Sequence, residues 1–263
     1  MNQKGNRPIS RSWALAGALL GLTLGAQALA HGDGSDGKYR HGNRACTQTA
    51  IAAKKACGND ITNDYWLAIG ECRNLSDPSG FKDCAEEAKS DFADGRQLCA
   101  DQLDARRNVC ALLGEAPYDP DFSAADFPDD PSKLTWSEAN PYFPLVPGTK
   151  WFYVVRDSDG NATGETDTVT ITDEVREIAG VPCITSTDTV KEDGEVTEAT
   201  TDWYAQDKDG NVWYCGESSR EFEDGVLVSI EGSWQSGVDN GKPGIIMKAQ
   251  PQPGDAYRQE FQL

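Results

Sequence analysis

Six of the eight cysteines in this 263-residue chain are spaced as a palindrome. Cys46, Cys57, Cys72, Cys84, Cys99 and Cys110 are separated by steps of 11, 15, 12, 15 and 11 residues, centred on position 78. Thiols can pair, exchange or bind metal. No C-x-x-C is present and the steps are far from zinc-ligand spacing, so pairing is the chemistry to expect. Position 78 is a proline within Ser76-Asp77-Pro78-Ser79-Gly80. Asp77 can cap a helix whose first residue is Pro78, where a missing N–H costs nothing. In an antiparallel helical hairpin, residues equally far from the turn lie opposite one another. Eleven residues advance a helix by about 20° and fifteen by about 60°, so each set of three cysteines keeps to one stripe. The nested pairs Cys46–Cys110, Cys57–Cys99 and Cys72–Cys84 follow. Ala45, Ala56, Ala85 and Ala100 beside the cysteines allow the close approach that bridging needs. Gly58 and Gly95 are candidate kinks.

Cys183 and Cys215 stand apart. If Asp193-Gly194 and Asp209-Gly210 close simple hairpins, Cys183 falls near Tyr204 and Cys215 near Asp202. The two would share a face two strands apart, about 10 Å, too far for a bridge across a flat sheet. A bulge or a curled sheet would join them, and both a bridge and two buried thiols stay open.

Other candidate chemistry is sparse. His31 and His41 are the only histidines, and His31 would be the N-terminal residue after signal cleavage, so the pair are weak copper candidates. Asp157, Asp159, Asn161, Thr163 and Glu165 begin like an EF-hand loop. Ala162 then stands where glycine belongs and Thr168 where the bidentate glutamate belongs, so a hairpin turn is the simpler reading. Trp151, Trp203, Trp213 and Trp234 could line a groove for sugars or apolar ligands, or form a β core. No Ser/His/Asp set, Gly-rich phosphate loop or zinc motif is present, and no pair of carboxylates stands out as acid and base. No catalytic residue, cofactor or metal site is assigned.

The elements that must position these residues divide the chain. Residues 1–30 read as a signal peptide, with Lys4, Arg7 and Arg11 before an apolar run and Ala28-Leu29-Ala30 at the cleavage site. Residues 31–43 are a Gly/Asp-rich tail, 44–113 the helical hairpin, 114–148 an acidic Pro-rich linker that wraps through its aromatics, and 149–263 an antiparallel β domain. Asp-Gly turns at 159–160, 193–194, 209–210 and 224–225, with Ala179-Gly180, mark the β hairpins. The fold class is α+β. No segment after residue 30 is apolar enough to span a membrane. Formal charge is −19, and residues 116–263 carry nearly all of it with 29 acids against 10 bases. Such acidity argues against nucleic acid and anionic membranes and suits a cationic protein or small ligand.

The run Asn140-Pro141-Tyr142-Phe143-Pro144-Leu145-Val146-Pro147-Gly148-Thr149-Lys150-Trp151 carries a resemblance, together with Asp202-Trp203-Tyr204, Asn211-Val212-Trp213-Tyr214 and Pro253-Gly254-Asp255-Ala256-Tyr257-Arg258. These segments resemble a family of uncharacterised bacterial secreted proteins with an N-terminal helical region and a C-terminal antiparallel β domain. Asn63-Asp64-Tyr65-Trp66 and Tyr118-Asp119-Pro120 are similar to the helical region. The resemblance implies no site residues. It implies further strands past Leu263, hence an incomplete sheet with an exposed edge.

The expectation is an exported, non-enzymatic protein with a binding or structural role, periplasmic or secreted. The alternatives are a carrier of an apolar or carbohydrate ligand in the β domain, and a weak calcium or copper binder.

Overall fold

The structure, a computed structural model, describes residues 44–263. The expected signal peptide, the expected Gly/Asp-rich tail and both histidines, His31 and His41, lie outside the described residues.

Helix α1 spans Ala45–Arg73 and helix α2 Pro78–Leu113. Asp77 caps α2, its carboxylate accepting from Gly80 N–H at 2.9 Å and from the Ser79 hydroxyl, with Pro78 at the first helical position. The bridges are Cys46–Cys110, Cys57–Cys99 and Cys72–Cys84, nested about that turn. Both helices run unbroken through Gly58 and Gly95. A methyl group on Gly95 would lie 2.6 Å from Ile61 Cδ1, so this glycine admits the facing helix. The buried side chains of the pair are Cys46, Ala50, Ile69, Cys72, Ala88, Cys99, Leu103 and Cys110; half of them are cysteines. At the open end, Ala45 N–H bonds Glu115 O, and the Thr47 amide and hydroxyl both donate to the Glu115 carboxylate.

The sheet is antiparallel throughout. Strands β1 (Lys150–Arg156), β2 (Ala162–Ile178), β3 (Val181–Glu192), β4 (Glu195–Gln206) and β5 (Val212–Ser218) form a meander, continued by β9 (Lys242–Met247) and β10 (Glu260–Phe261). A hairpin of β6 (Glu221–Glu223) and β7 (Val226–Ser229) hangs on β4, and β8 (Trp234–Gln235) on β5. The turns Ala179-Gly180, Asp193-Gly194 and Asp224-Gly225 have positive φ at both residues, which matches hairpin twist. Asp159-Gly160 and Asp209-Gly210 instead sit in five-residue loops. In these, Asp157 and Asp207 accept amide hydrogens from residues two and four further on. The EF-hand-like string is therefore a hairpin loop.

A bulge in β4 and another in β5 set the register around β4. Glu192 pairs Glu195, as the simple hairpin requires, but Val190 pairs Glu198, so Thr197 is an extra residue. Tyr204 pairs Tyr214 while Trp203 pairs Gly216, which makes Cys215 the extra residue on β5. The simple-hairpin placement of Cys183 beside Tyr204 and Cys215 beside Asp202 is thereby corrected. The bulged, twisted sheet brings the two Cα atoms to 6.8 Å and joins them as the fourth disulfide. Gly216 is obligatory at this bulge, since a Cβ there would sit 2.6 Å from the carbonyl of Trp234.

Apolar side chains cover both faces. On one, Ile178, Val181, Cys183, Trp203, Ala205 and Cys215 pack against Phe127 and Phe122. On the other, Ile171, Ile184, Tyr204, Val212, Tyr214 and Trp234 pack against Leu145, Phe143 and Leu134. Segment 114–148 thus supplies aromatics to both faces. Its crossing is fastened by buried Asn140, whose amide N–H donates to Gln206 Oε1 at 2.6 Å. The Asn140 side chain donates to Gly210 O and Lys248 O and accepts from Tyr142 and Phe143 N–H. Asn140→Ala strands several buried polar groups at once, and chemical denaturation is expected to show a loss of about 2–4 kcal/mol.

Candidate functional site

Alternate residues of a strand share a face. On the face holding Ile184 and Tyr204, β3 continues with Ser186 and Asp188, and β4 with Asp202, Thr200 and Glu198. Pairings of Ser186 with Asp202 and Asp188 with Thr200 hold them in one layer. Asp167 of β2 joins them, one ladder step from Val169, the partner of Asp188, and Tyr153 of β1 lies opposite Asp167. On β5, Glu217 lies opposite Asp202. Asp167, Asp188, Glu198 and Glu217 are half-buried, so the layer is acidic and partly open.

Asp202 is buried and accepts from the Tyr214 hydroxyl at 2.7 Å; Tyr214 in turn stacks on Tyr204 at 5.0 Å. Glu198 accepts from Thr200 and Ser219 hydroxyls. Asp167 Oδ1 and Asp188 Oδ1 are enclosed and no other residue donates to them, so the bond between the two carboxyls needs a proton held on Asp188. Burial pushes Asp188 up to about 8, helped by its hydrogen bond to Asp167 and by the charges of Asp167, Asp202 and Glu198. Burial raises Asp202 to about 6, against the stabilising hydrogen bond from Tyr214. Burial, then the Asp202 charge, lifts Glu217 to about 7. Burial and the nearby carboxylates raise both Tyr204 and Tyr214, so the two phenols stay protonated donors. Near pH 7 the layer holds some protons and gains charge as pH rises. That suits a surface taking up a positively charged group, whose approach would draw the remaining protons off.

The four candidate tryptophans do not line one groove. Trp213 packs on one face of the sheet and Trp151 on the other. Trp203 and Trp234 border a common cleft with Arg176, Thr201, Glu217 and Gln235. Arg176 lies 4.3 Å over the Trp203 ring. Among the described residues, no group of three or more His, Cys, Asp or Glu is placed to hold a metal ion. The carboxylate layer itself was missed by sequence reasoning. Period-two spacing of Ser186, Asp188 and of Glu198, Thr200, Asp202 carries its signal, but only once the register is known.

No protein-family profile matches the chain, and no curated protein or solved structure matches it significantly. The structure therefore defines a class by architecture alone: a disulfide-stapled helical hairpin joined to an antiparallel sheet. Four disulfides mark a protein of an oxidising, non-cytoplasmic compartment, and among the described residues no helix is long and apolar enough to cross a membrane.

Proposed function

We propose that this is an exported, non-enzymatic binding protein of the periplasm or medium, whose carboxylate layer receives a cationic partner. The observation that carries the reading is the layer of Asp167, Asp188, Glu198, Asp202 and Glu217 on one face of the sheet, in which burial first, and then the charges of neighbouring carboxylates, raise Asp188, Asp202 and Glu217. A basic group entering the layer relieves that repulsion. The leader sequence, the four disulfides and the resemblance to bacterial secreted proteins support export.

Calorimetry of the oxidised protein with poly-lysine at pH 8 is expected to show binding that weakens steeply with added salt and is largely lost at pH 5. Glu198→Gln combined with Glu217→Gln should reduce affinity at least tenfold. Equal binding by the variant would remove this layer as the site. Turnover in a hydrolase panel, abolished by Asp188→Asn, would overturn the non-enzymatic reading.

A second reading is favoured by the cleft shared by Trp203 and Trp234, which suits a small apolar or carbohydrate ligand. Quenching or a blue shift of Trp fluorescence by oligosaccharides or fatty acids, lost in Trp203→Leu, would support it.

A further inference from the structure

The outermost bridge of the hairpin, Cys46–Cys110, differs from the other three in what touches its sulfur. Arg258 donates from Nη2 to Cys46 Sγ at 3.1 Å. Its guanidinium also lies 5.4 Å from the centre of the Tyr118 ring and 6.0 Å from that of Phe261, and the Tyr118 hydroxyl is anchored on Pro243 O at 2.9 Å. Such rings hold a guanidinium in place without neutralising it. Among the described residues no carboxylate comes within ion-pair distance of Arg258, so the sulfur faces a full positive charge. At the other three bridges, among the described residues, no cationic side chain bonds a sulfur atom. Cys46 and Cys110 line a cleft of about 320 Å³ between the open end of the hairpin and β10, together with Arg106, Arg258, Glu260 and Phe261. Arg106 adds a second positive charge there, and burial raises Glu260 above its ordinary value, which lessens the opposing negative charge.

We infer that Cys46–Cys110 is a thiol-exchange site, at which a small thiol entering the cleft bonds covalently to Cys110 and frees Cys46. The incoming thiolate attacks Cys110 Sγ. A new S–S bond forms to the thiol, the Cys46–Cys110 bond breaks, and its electron pair leaves on Cys46 as thiolate. The products are a mixed disulfide on Cys110 and a Cys46 thiolate beside Arg258, so the step consumes no external oxidant or reductant. A second molecule of the thiol then releases Cys110 and departs as the small-molecule disulfide, or Cys46 attacks back and recloses the bridge. Exchange is faster when the leaving thiol has a lower pKa, and a neighbouring arginine lowers it. The guanidinium bonds Cys46, which sets the direction: Cys46 leaves and Cys110 is attacked. Arg106 and Arg258 also draw a thiolate into the cleft. Exposure argues the other way, because Cys57 and Cys84 are half-buried whereas Cys46 is 7% and Cys110 3% exposed. On access alone the two inner bridges open first. On leaving-group chemistry the outer one does, and the cleft supplies the access it needs.

The test exposes the full oxidised mature chain to reduced glutathione without denaturant, with samples quenched in acid, alkylated and mapped by mass spectrometry over time. Cys46 is expected to be alkylated first, with glutathione on Cys110, at a rate at least about tenfold above that of any other bridge. Arg258→Gln should slow opening of this bridge about tenfold and leave the other three rates unchanged. Arg258→Lys, which keeps the charge, should recover most of the rate. A misfolded variant opens its bridges faster, so a selective slowing reports the lost charge and not lost structure. Opening of Cys57–Cys99, Cys72–Cys84 or Cys183–Cys215 ahead of Cys46–Cys110 overturns the inference. So does glutathione on Cys46 instead of Cys110, or opening in Arg258→Gln that is as fast as in the wild type or faster.

Discussion

The melting temperature of the oxidised protein is expected to fall by about 5–10 °C between pH 5 and pH 8, the reverse of what a protein stabilised by ion pairs would show. The cause is the carboxylate layer. Asp188, Asp202 and Glu217 have folded values raised to about 8, 6 and 7 from ordinary values of 3.8, 3.8 and 4.5. Between those limits the folded state holds protons that the unfolded chain has released, so unfolding becomes easier as pH climbs. The contribution is fully present below about pH 4 and is lost as pH rises through 6 to 8. Because Asp188 and Glu217 are only partly buried, the combined loss is discounted to on the order of 2–4 kcal/mol. The facing groups are Tyr153 on β1, Asp167 on β2, Glu198 and Tyr204 on β4, Tyr214 on β5 and Glu260 on β10, and they add negative charge or neutral phenols. Asp77, Glu115, Asp130, Glu138, Asp157 and Asp255 act in the opposite sense. Hydrogen bonds from Ser, Thr and backbone groups hold them below their ordinary values, so their contribution fades as pH drops below about 4. Maximum stability should therefore lie between about pH 4 and 6. Asp188→Asn keeps a donor toward Asp167 and cannot ionise, so it should melt higher than wild type at pH 8 and match it near pH 4. A wild-type melting temperature that is flat or rising from pH 5 to 8 would sink this account.

The helical hairpin is expected to unfold separately from the sheet once its bridges are removed. Its interior has little besides cysteine: Ala50, Ile69, Ala88 and Leu103 complete the buried set, while Trp66, Leu67, Leu98 and Leu112 are exposed. Such a pair cannot offset the entropy of ordering two long helices by burial alone. The bridges close loops with separations of 64, 42 and 12 residues. Chain entropy assigns each about 3–4 kcal/mol taken singly, less when nested. Cys57→Ser with Cys99→Ser should give a low-temperature transition seen at 222 nm but not in the near-ultraviolet signal of the sheet tryptophans. Replacing all six should leave the sheet folded and the helical signal largely gone. A single transition in both variants would show that the hairpin draws its stability from the sheet instead.

These two regions also mark where the sequence was and was not readable. The hairpin was legible because cysteines are constrained in pairs, and a palindrome about Pro78 leaves one simple arrangement. The Asp193-Gly194 and Asp224-Gly225 turns were legible for a local reason, since few dipeptides tolerate positive φ twice. The carboxylate layer was hidden by the bulges at Thr197 and Cys215. One extra residue exchanges the faces of everything beyond it. Asp188 therefore meets Thr200 rather than Ala199, and nothing local to Thr197 announces the change. The Cys183–Cys215 bridge was left open for the same reason: its feasibility depended on a bulge that hydrophobic pattern alone does not reveal.

The Cys46–Cys110 bridge has a mechanical consequence. The chain enters the hairpin beside Cys46 and leaves beside Cys110, so the bridge ties entry directly to exit. Tension between the N-terminal segment and the sheet passes through the sulfur atoms and bypasses both helices. Pulled from its ends, the oxidised protein cannot pay out the loop of separation 64 held behind that bond. Reduction of all three nested bridges would release about 220 Å of extra contour length, in successive steps from the outer bond inward, at about 3.5 Å per residue. A peptide cut anywhere within the loop would leave the two fragments tethered and the load path intact. The hairpin can thus be flexed, nicked or occupied by a partner while the line of force from N-terminus to sheet stays unbroken.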